Sequence, residues 1–369
     1  MQLIATCAFG LEKLVYDEIK ALGLWVIKNE DGRVTFEGDE EALIKANLWL
    51  RCADRVLIKI DEFEAKTFDE LFDQTNQLEW EKYIEANDAF PIKATSVKSA
   101  LHSEPAIQSI IKKAVVKRLQ KQYKLETLAE NSGASYQIII KANKDHFLVA
   151  IDSSGESLHK RGYRTRANLA PIKETLAAAM VKLSDWTLEK TLIDPFCGSG
   201  TIGIEAALMA CNIAPGLNRT FAFQRWPWLI KENFIKIHNE TKAGIKTIAK
   251  LPIYCFDIDA EVLKIAAVNA KNAGFNNLHF KRADFRQLNF SQFLNCTFIT
   301  NPPYGERMGE KAEIENMYRE LGTQFAKTKN SSLFLITSHE NFPTLFGYKA
   351  NKNRKLFNGH IRCYLYSYF

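Results

Sequence analysis

Apolar positions along the chain fall into three successive patterns. Over residues 1–63 short apolar runs alternate with one-sided helical spacing. Leu3-Ile4-Ala5-Thr6 reads as a strand, and the spacing from Gly10 to Leu22 predicts an amphipathic helix ended by Gly23. Trp25-Val26-Ile27 and Val34-Thr35-Phe36 flank Asn29-Glu30-Asp31-Gly32, a hairpin signature. A helix over Glu40–Leu50 and a strand over Val56–Ile60 complete a βαββαβ order, which predicts a small ferredoxin-like unit. Residues 64–155 predict a second α+β unit, with strands at Phe90–Thr95, Tyr136–Ala142 and His146–Ile151. Its long helix runs from Ile107 to Lys124, with Ile107, Ile110, Ile111, Ala114, Val115 and Leu119 on one face. Residues 156–170 read as a basic linker. From Pro171 to residue 369, strand patterns at Thr191–Asp194, Ile253–Asp257, Leu278–Ala283, Phe298–Thr300 and Leu333–Thr337 alternate with helical ones. Those helices include Thr201–Ala210, Ala260–Ala273 and Glu313–Lys327. This alternation predicts an α/β domain with a mostly parallel, doubly wound sheet. The alternating tail, Ile361 to Tyr366, suits a late antiparallel strand.

Composition narrows the class. At 369 residues, with 46% apolar and 25% charged residues, the chain has room for two or three globular domains. Its seven cysteines are scattered, with no C-x-x-C pair, which argues against a disulfide framework and a zinc site and points to a reducing, cytoplasmic setting. No metal site is expected. No apolar run approaches the length of a membrane span, and the N-terminus lacks a basic region before an apolar core, so no membrane partner is expected. A net charge of +6 leans toward a polyanionic partner. The positive charge is uneven. Lys112, Lys113, Lys117, Arg118, Lys121 and Lys124 occur without an acid among them from Ile107 to Lys124, and Lys160, Arg161, Arg164 and Arg166 crowd the linker around Tyr163. A lysine-rich helix face is most often only solvated; this density, with an aromatic interleaved in the linker, points to RNA phosphates and a base to stack on.

Two stretches carry chemistry. The first, Asn301-Pro302-Pro303-Tyr304-Gly305-Glu306-Arg307, follows a buried strand. Consecutive prolines stiffen it and remove backbone donors, leaving a lip of acceptors: the Asn301 side-chain oxygen and the Pro302 carbonyl, beside the Tyr304 ring. Such a lip suits a flat base held by both hydrogens of its exocyclic amine. The second, Asp194-Pro195-Phe196-Cys197-Gly198-Ser199-Gly200-Thr201, runs from a strand through a glycine turn into a helix. Gly198, Gly200 and Gly203 also fit G-x-G-x-x-G, but Asp194 and Pro195 intervene, and the next strand-end acids, Asp257 and Asp259, follow only a long insertion, so a nicotinamide site ranks last. Asp194, Asp257, Asp284 and Asn301 each close one of four successive strands, the end of an open α/β sheet where ligands bind. With strand order 3-2-1-4-5, the winding reverses between the strands ending at Asp194 and Asn301. Asp194 then suits a ligand ammonium, Asp257 a ribose diol and Asp284 a base edge; Asp259 reads as a helix cap. Cys197 invites comparison with a covalent nucleophile but sits in the glycine turn without a second motif cysteine.

These motifs together resemble the bacterial THUMP-domain 23S rRNA guanine-N2 methyltransferases over nearly the whole chain. The resemblance rests on Leu158–Arg164, Ala170–Ala178, Asp194–Thr201 and Asn301–Arg307. It implies a ferredoxin-like start (1–63), a THUMP RNA-binding domain (64–155), a basic linker (156–170) and a class I, Rossmann-like methyltransferase domain with a mostly parallel seven-stranded sheet (171–369). The long insertion Pro215–Trp228 would belong to that last domain. The resemblance implies S-adenosyl-L-methionine as cofactor, bound by Pro171, Thr175, Asp194, Pro195, Cys197, Gly198, Gly200, Thr201, Asp257, Ile258, Asp284, Phe285 and Asn301. It also implies catalysis by Asn301, Pro302, Pro303 and Tyr304, and RNA as partner. The four-residue N-P-P-Y motif is shared with enzymes that methylate adenine and glutamine, so tRNA guanine-N2 or adenine-N6 methylation stays open, as does a non-catalytic RNA-binding or ribosome-assembly role.

Overall fold

The computed structural model describes residues 1–129, 133–164, 172–304 and 311–369. The chain opens with β1 (Gln2–Thr6), α1 (Glu12–Ala21), β2 (Trp25–Glu30), β3 (Arg33–Glu37), α2 (Glu40–Trp49) and β4 (Arg55–Glu64), in the βαββαβ order that the apolar pattern predicts. Gly32, at φ +74°, takes the left-handed position of the two-residue turn between β2 and β3. Next come α3 (Phe68–Gln77), β5 (Ile92–Val97), α4 (Glu104–Tyr123), β6 (Ile138–Asn143) and β7 (His146–Asp152). Local pattern does not disclose how these two units combine. They share one seven-stranded sheet, ordered β2-β3-β1-β4-β7-β6-β5, because β4 pairs along its length with β7. That pairing explains why β4 runs to Glu64 rather than stopping at Ile60: its second half finds backbone partners only in the other unit.

The remaining elements are α5 (Glu174–Leu183), β8 (Thr191–Asp194), α6 (Thr201–Ala210), α7 (Lys231–Ala243), β9 (Ile253–Asp257), α8 (Ala260–Asn272), β10 (His279–Arg282), β11 (Cys296–Thr300), α9 (Lys311–Phe325), β12 (Ser332–Thr337), α10 (Phe342–Phe346), β13 (Lys352–Asn358) and β14 (Ile361–Tyr368). They form a second seven-stranded sheet ordered β10-β9-β8-β11-β12-β14-β13. Its first five strands are parallel, and β14 pairs antiparallel with β12 and β13. The winding reverses between β8 and β11, as the strand-end residues require.

Residues 156–164 are not a solvated linker. Leu158, Arg161 and Tyr163 are buried, and the Leu158 N–H donates to Asp54 O at 2.7 Å. Arg161 meets Glu205 of α6 at 3.4 Å and donates to Leu158 O and Arg51 O; the Tyr163 hydroxyl donates to Glu205 Oε1 at 3.1 Å. Two readings are thereby corrected: Arg161 is committed to an internal ion pair rather than to phosphate, and Tyr163 offers no face to a base. A buried arginine left without its carboxylate would be costly, which fixes the pair in place. The insertion after α6 also bridges the two sheets. Gly216 N–H donates to Leu48 O, Ile230 N–H donates to Glu40 Oε1, and the Trp226 ring stacks on Tyr136 at 4.9 Å. Among the described residues no helix is long and apolar enough to cross a membrane. All seven cysteines are free and buried.

Candidate active site and RNA-facing surface

The carboxyl ends of β10, β9, β8 and β11 lie side by side, so the residues that close them converge. Asp194 is fully buried at the end of β8. Its Oδ1 accepts from the Phe196 N–H at 3.1 Å and from the Thr300 hydroxyl at 2.7 Å. Its Oδ2 is buried with no hydrogen-bond partner. Burial first, with Asp257 adding, pushes the Asp194 carboxyl up to about 7 against the two hydrogen bonds that favour its charged form. A buried carboxylate oxygen with no donor is an unsatisfied acceptor, and a ligand ammonium would satisfy it.

The glycine turn is braced from the neighbouring strand. Gly198 N–H donates to Asp257 Oδ2 at 2.8 Å, and Cys197 N–H donates to Phe256 O. Gly198 has φ +53°, and nothing lies within 4 Å of where its Cβ would stand, so the turn faces open space. Gly203, one turn into α6, has no such room: a Cβ would lie 2.5 Å from Cys255 Sγ, so only glycine lets the helix sit down on β9. Asp257 Oδ1 also accepts from Asp259 N–H, and Asp259 caps α8, as its sequence position predicts. Ile258 stands 59% exposed beside them, an apolar face in a polar rim.

Other predicted cofactor residues are placed less directly. Asp284 caps a short 3-10 turn and pairs with Arg286. The Phe285 ring is buried against Phe196 at 5.0 Å, which leaves its backbone as the part free to meet a ligand. The Cys197 thiol is buried, and burial together with Cys255 holds it well above its ordinary value, protonated and unfit as a nucleophile. Thr175 and Pro195 are buried, Gly200 with φ +81° immediately precedes α6 at its N-cap, and Thr201 Oγ1 accepts from Arg164 Nη2 at 2.8 Å. Pro171 and Arg166 lie outside the described residues, as do Gly305, Glu306 and Arg307.

The proline lip follows β11 directly. Asn301 is partly exposed, but its Oδ1 already accepts from the Tyr304 hydroxyl at 2.5 Å. Tyr304 is turned inward, packed against the main core and beside Cys363 and Asn358 of the β13–β14 hairpin; burial raises its hydroxyl well above the ordinary value. This corrects its reading as a free stacking face. The Tyr318 hydroxyl donates to Pro303 O at 2.9 Å, while Pro302 O takes no hydrogen bond among the described residues. Sequence reasoning missed Thr300, Tyr318 and Glu205, and it gave Arg164 to phosphate rather than to Thr201 and Glu174. Only Glu205 left a local trace, a lone acid in an otherwise apolar helix.

On α4 the basic residues separate into two sets. Lys113, Lys117 and Lys121 are exposed at spacings of four residues, forming one stripe, and exposed Lys124 follows as the left-handed residue that ends the helix. Arg118 pairs with Glu81, and Lys112 sits 3.5 Å over the Phe90 ring, so both turn aside from the stripe. Lys160 is exposed and paired with Glu156, and Arg164 pairs with Glu174 at 2.9 Å with its side chain 13% exposed, which places it inside the fold rather than on the surface as phosphate contact requires.

Comparisons with known proteins agree with this layout. A model of the RMKL-like methyltransferase domain matches residues 161–367, the RlmL ferredoxin-like domain matches residues 2–57, and the THUMP domain matches residues 65–152. A relative named "Putative RNA methyltransferase YpsC" from Bacillus subtilis is 46% identical over all of this chain and 95% of its own length. The "Ribosomal RNA large subunit methyltransferase K/L" of Psychromonas ingrahamii is 34% identical over 98% of this chain, which spans 49% of that longer relative. The crystal structure of SMU.472, described as "a putative methyltransferase complexed with SAH", superposes with a TM-score of 0.95 at 43% identity, covering 100% of this chain and 97% of that one. With its catalytic sheet matched over more than half of the sequence and both preceding modules recognised, the chain belongs to the RMKL-like methyltransferase family.

Proposed function

We propose that this RNA methyltransferase moves a methyl group from S-adenosyl-L-methionine to the exocyclic N2 amine of a guanine in 23S rRNA. One observation carries the reading: the Thr300 hydroxyl bonds Asp194 Oδ1 at 2.7 Å, coupling the orphaned carboxylate of β8 to the residue that precedes the Asn301 lip. The donor end and the acceptor end of a methyl transfer are thus one hydrogen bond apart.

The residues present fit the cofactor. Asp194 Oδ2 supplies the missing partner for its ammonium, the open Gly198 turn admits its backbone-hugging portion, Asp257 keeps lone pairs for a ribose diol, and exposed Ile258 offers an apolar face to the base. Bound there, S-adenosyl-L-methionine supplies a sulfonium methyl that is already activated. The chain's own task is to hold and sharpen the nucleophile. A guanine amine is weak because its lone pair is delocalised into the ring. Accepting its two hydrogens at Asn301 Oδ1 and Pro302 O favours pyramidal nitrogen and stabilises the positive charge that develops on it. The incoming amine takes the place of the Tyr304 hydroxyl on Asn301, so one hydrogen bond is exchanged for another. Orientation by the stiff lip contributes on the order of 7–11 kcal/mol in favourable cases. As the N–C bond forms and the methyl–sulfur bond breaks, the surplus amine proton passes to solvent. A paired guanine must first be opened or flipped to reach the lip.

The reading extends to RNA docking through the exposed lysines of α4, which contact phosphates without reading sequence. The test is tritium transfer from labelled S-adenosyl-L-methionine to purified 23S rRNA and to tRNA, followed by nucleoside analysis. N2-methylguanosine in 23S rRNA is expected. N6-methyladenosine, or label only in tRNA, would overturn the guanine or the rRNA assignment respectively, and no transfer at all would favour a non-catalytic RNA-binding role.

A further inference from the structure

Residues 156–164, the start of α5 and the insertion after α6 wall a cavity of about 800 Å³ that methyl transfer leaves unused. Its charged lining is Lys160, Arg161, Arg164, Lys173 and Arg219 against Glu156 and Glu174. Three of the cations are spoken for, by Glu156, Glu205 and Glu174 respectively. Two are not. Lys173 makes no ion pair among the described residues, though it acts on Asp54 through space. Arg219 donates to Ser157 O at 2.7 Å, Lys160 O at 3.0 Å, Glu156 O at 2.6 Å, and at longer range to Ser154 O and Thr220 O. Every guanidinium hydrogen is thereby satisfied by a neutral carbonyl, and Glu156 and Asp152 act on the positive charge without forming an ion pair with it among the described residues. The surroundings register the excess: burial first, then Lys173 and Arg161, drive the His159 imidazole down to about 4, and Arg219 falls to about 10 through burial and Arg161. A cavity lined by five cationic side chains against two carboxylates, with Asp54 acting on Lys173 and with Glu156 and Asp152 acting on Arg219 only through space, keeps a positive excess and calls for an anion.

Its position says which anion. Arg164, on one wall, bonds Thr201, the first residue after the glycine turn. The strap forming another wall leaves β7, in the sheet that also carries the lysine stripe of α4. The mouth is formed by exposed Glu156, which is paired with Lys160, and by exposed Lys160, Gly162, Asn218 and Thr220, so a polymer can enter where a sealed pocket would admit only a small ion. We propose that this cavity takes a backbone phosphate of the RNA strand whose base is delivered to the Asn301 lip. Lys173 supplies the direct charge, Asn218 and Thr220 supply neutral donors at the mouth, and Arg219 supplies field without hydrogen bonds. The proposal rests on the RNA methyltransferase reading and deepens it: the site fixes the strand between the lysine stripe and the chemistry.

The test measures binding without turnover. A fluorescein-labelled single-stranded oligoribonucleotide is titrated against wild type, Lys173→Gln, Lys173→Arg and Asn218→Asp by anisotropy over a range of salt. S-adenosylhomocysteine affinity is measured by calorimetry in parallel. Lys173→Gln is expected to weaken RNA roughly fivefold and to flatten the slope of log K against log salt by about 0.7, the contribution of one phosphate contact on a single strand. Lys173→Arg should restore both. Asn218→Asp, an isosteric change at an exposed position, should weaken RNA comparably, and all variants should keep wild-type cofactor affinity and melting temperature. Wild-type RNA affinity and slope in both Lys173→Gln and Asn218→Asp would overturn the proposal. So would equal loss of S-adenosylhomocysteine, which would make the cavity part of the cofactor site. So would inorganic pyrophosphate that binds through Lys173 without competing with RNA, which would make it a small-anion site. Wild-type protein that binds the oligonucleotide through Lys173 yet methylates no RNA would sink the methyltransferase reading and leave the phosphate site standing.

Discussion

Replacing Asp194 with Asn should make the ligand-free protein more stable and the cofactor complex weaker, with both effects depending on pH. In the folded chain the carboxyl is raised from 3.8 to about 7, chiefly by burial. A raised acid contributes its stability below the unfolded value, and that contribution is lost as pH rises through the folded value. Roughly three pH units at about 1.4 kcal/mol each give on the order of 4 kcal/mol as the cost of the buried charge at pH 8. Asn keeps an acceptor for Thr300 and Phe196 but leaves its own N–H groups unsatisfied, at about 1–3 kcal/mol. The difference favours Asp194→Asn by about 1–3 kcal/mol at pH 8. At pH 5, where the folded carboxyl is already protonated, the cost of the aspartate drops below about 2 kcal/mol and the advantage disappears. S-adenosyl-L-methionine affinity should move the other way. Losing the carboxylate from a buried ammonium site should raise Kd at least roughly tenfold at pH 8, about 1.4 kcal/mol. Wild-type affinity should fall as pH drops below about 7 while the variant stays flat. Paired melting curves and calorimetry at pH 5 and pH 8 make the measurement. An Asp194→Asn protein that melts lower than wild type at pH 8, or that binds the cofactor with unchanged affinity, would refute the assignment of Asp194 as an unsatisfied acceptor awaiting a cation.

Asn301→Ala should retain RNA and cofactor affinity and lose roughly a hundredfold or more in single-turnover methyl transfer, since its contact strengthens as charge develops. Tyr304→Phe removes only the hydroxyl that occupies Asn301 Oδ1, so transfer at or above the wild-type rate is expected; a loss comparable to Asn301→Ala would mean that the Tyr304 hydroxyl itself acts in the reaction. Replacing Lys113, Lys117, Lys121 and Lys124 with Gln should weaken cognate and unrelated structured RNA alike and reduce the salt slope by roughly 0.7–0.9 for each phosphate no longer neutralised; a wild-type slope would move the RNA surface off α4. Trp226→Ala should destabilise the protein by about 3–5 kcal/mol in denaturant melts, because it empties a buried stack on Tyr136 and orphans Ser135 O; a loss below about 1 kcal/mol would mean that the insertion does not brace the two sheets.

Local chemistry and spacing alone set much of this protein. The period-two and one-sided apolar runs specify β1–β4, the α4 core face and the βα alternation of the second half, because each encodes which face must leave water. The prolines after Thr300 and the glycines after Asp194 mark the two turns, because those residue types restrict or extend backbone geometry wherever they fall. Tertiary structure decided what those residues meet. No periodicity could show that β4 continues into the second unit, since its partner β7 lies some ninety residues onward. Nor could a basic string reveal that Arg161 is neutralised by Glu205, or Arg118 by Glu81, while Lys173 and Arg219 make no ion pair among the described residues. A charge's role depends on its distance from opposite charge and on the water between them, and neither is a property of sequence neighbours. The same holds at the lip: the sequence supplies Asn301 and Tyr304 three residues apart, but only packing against β13 and β14 turns that ring inward and closes its hydroxyl onto the asparagine.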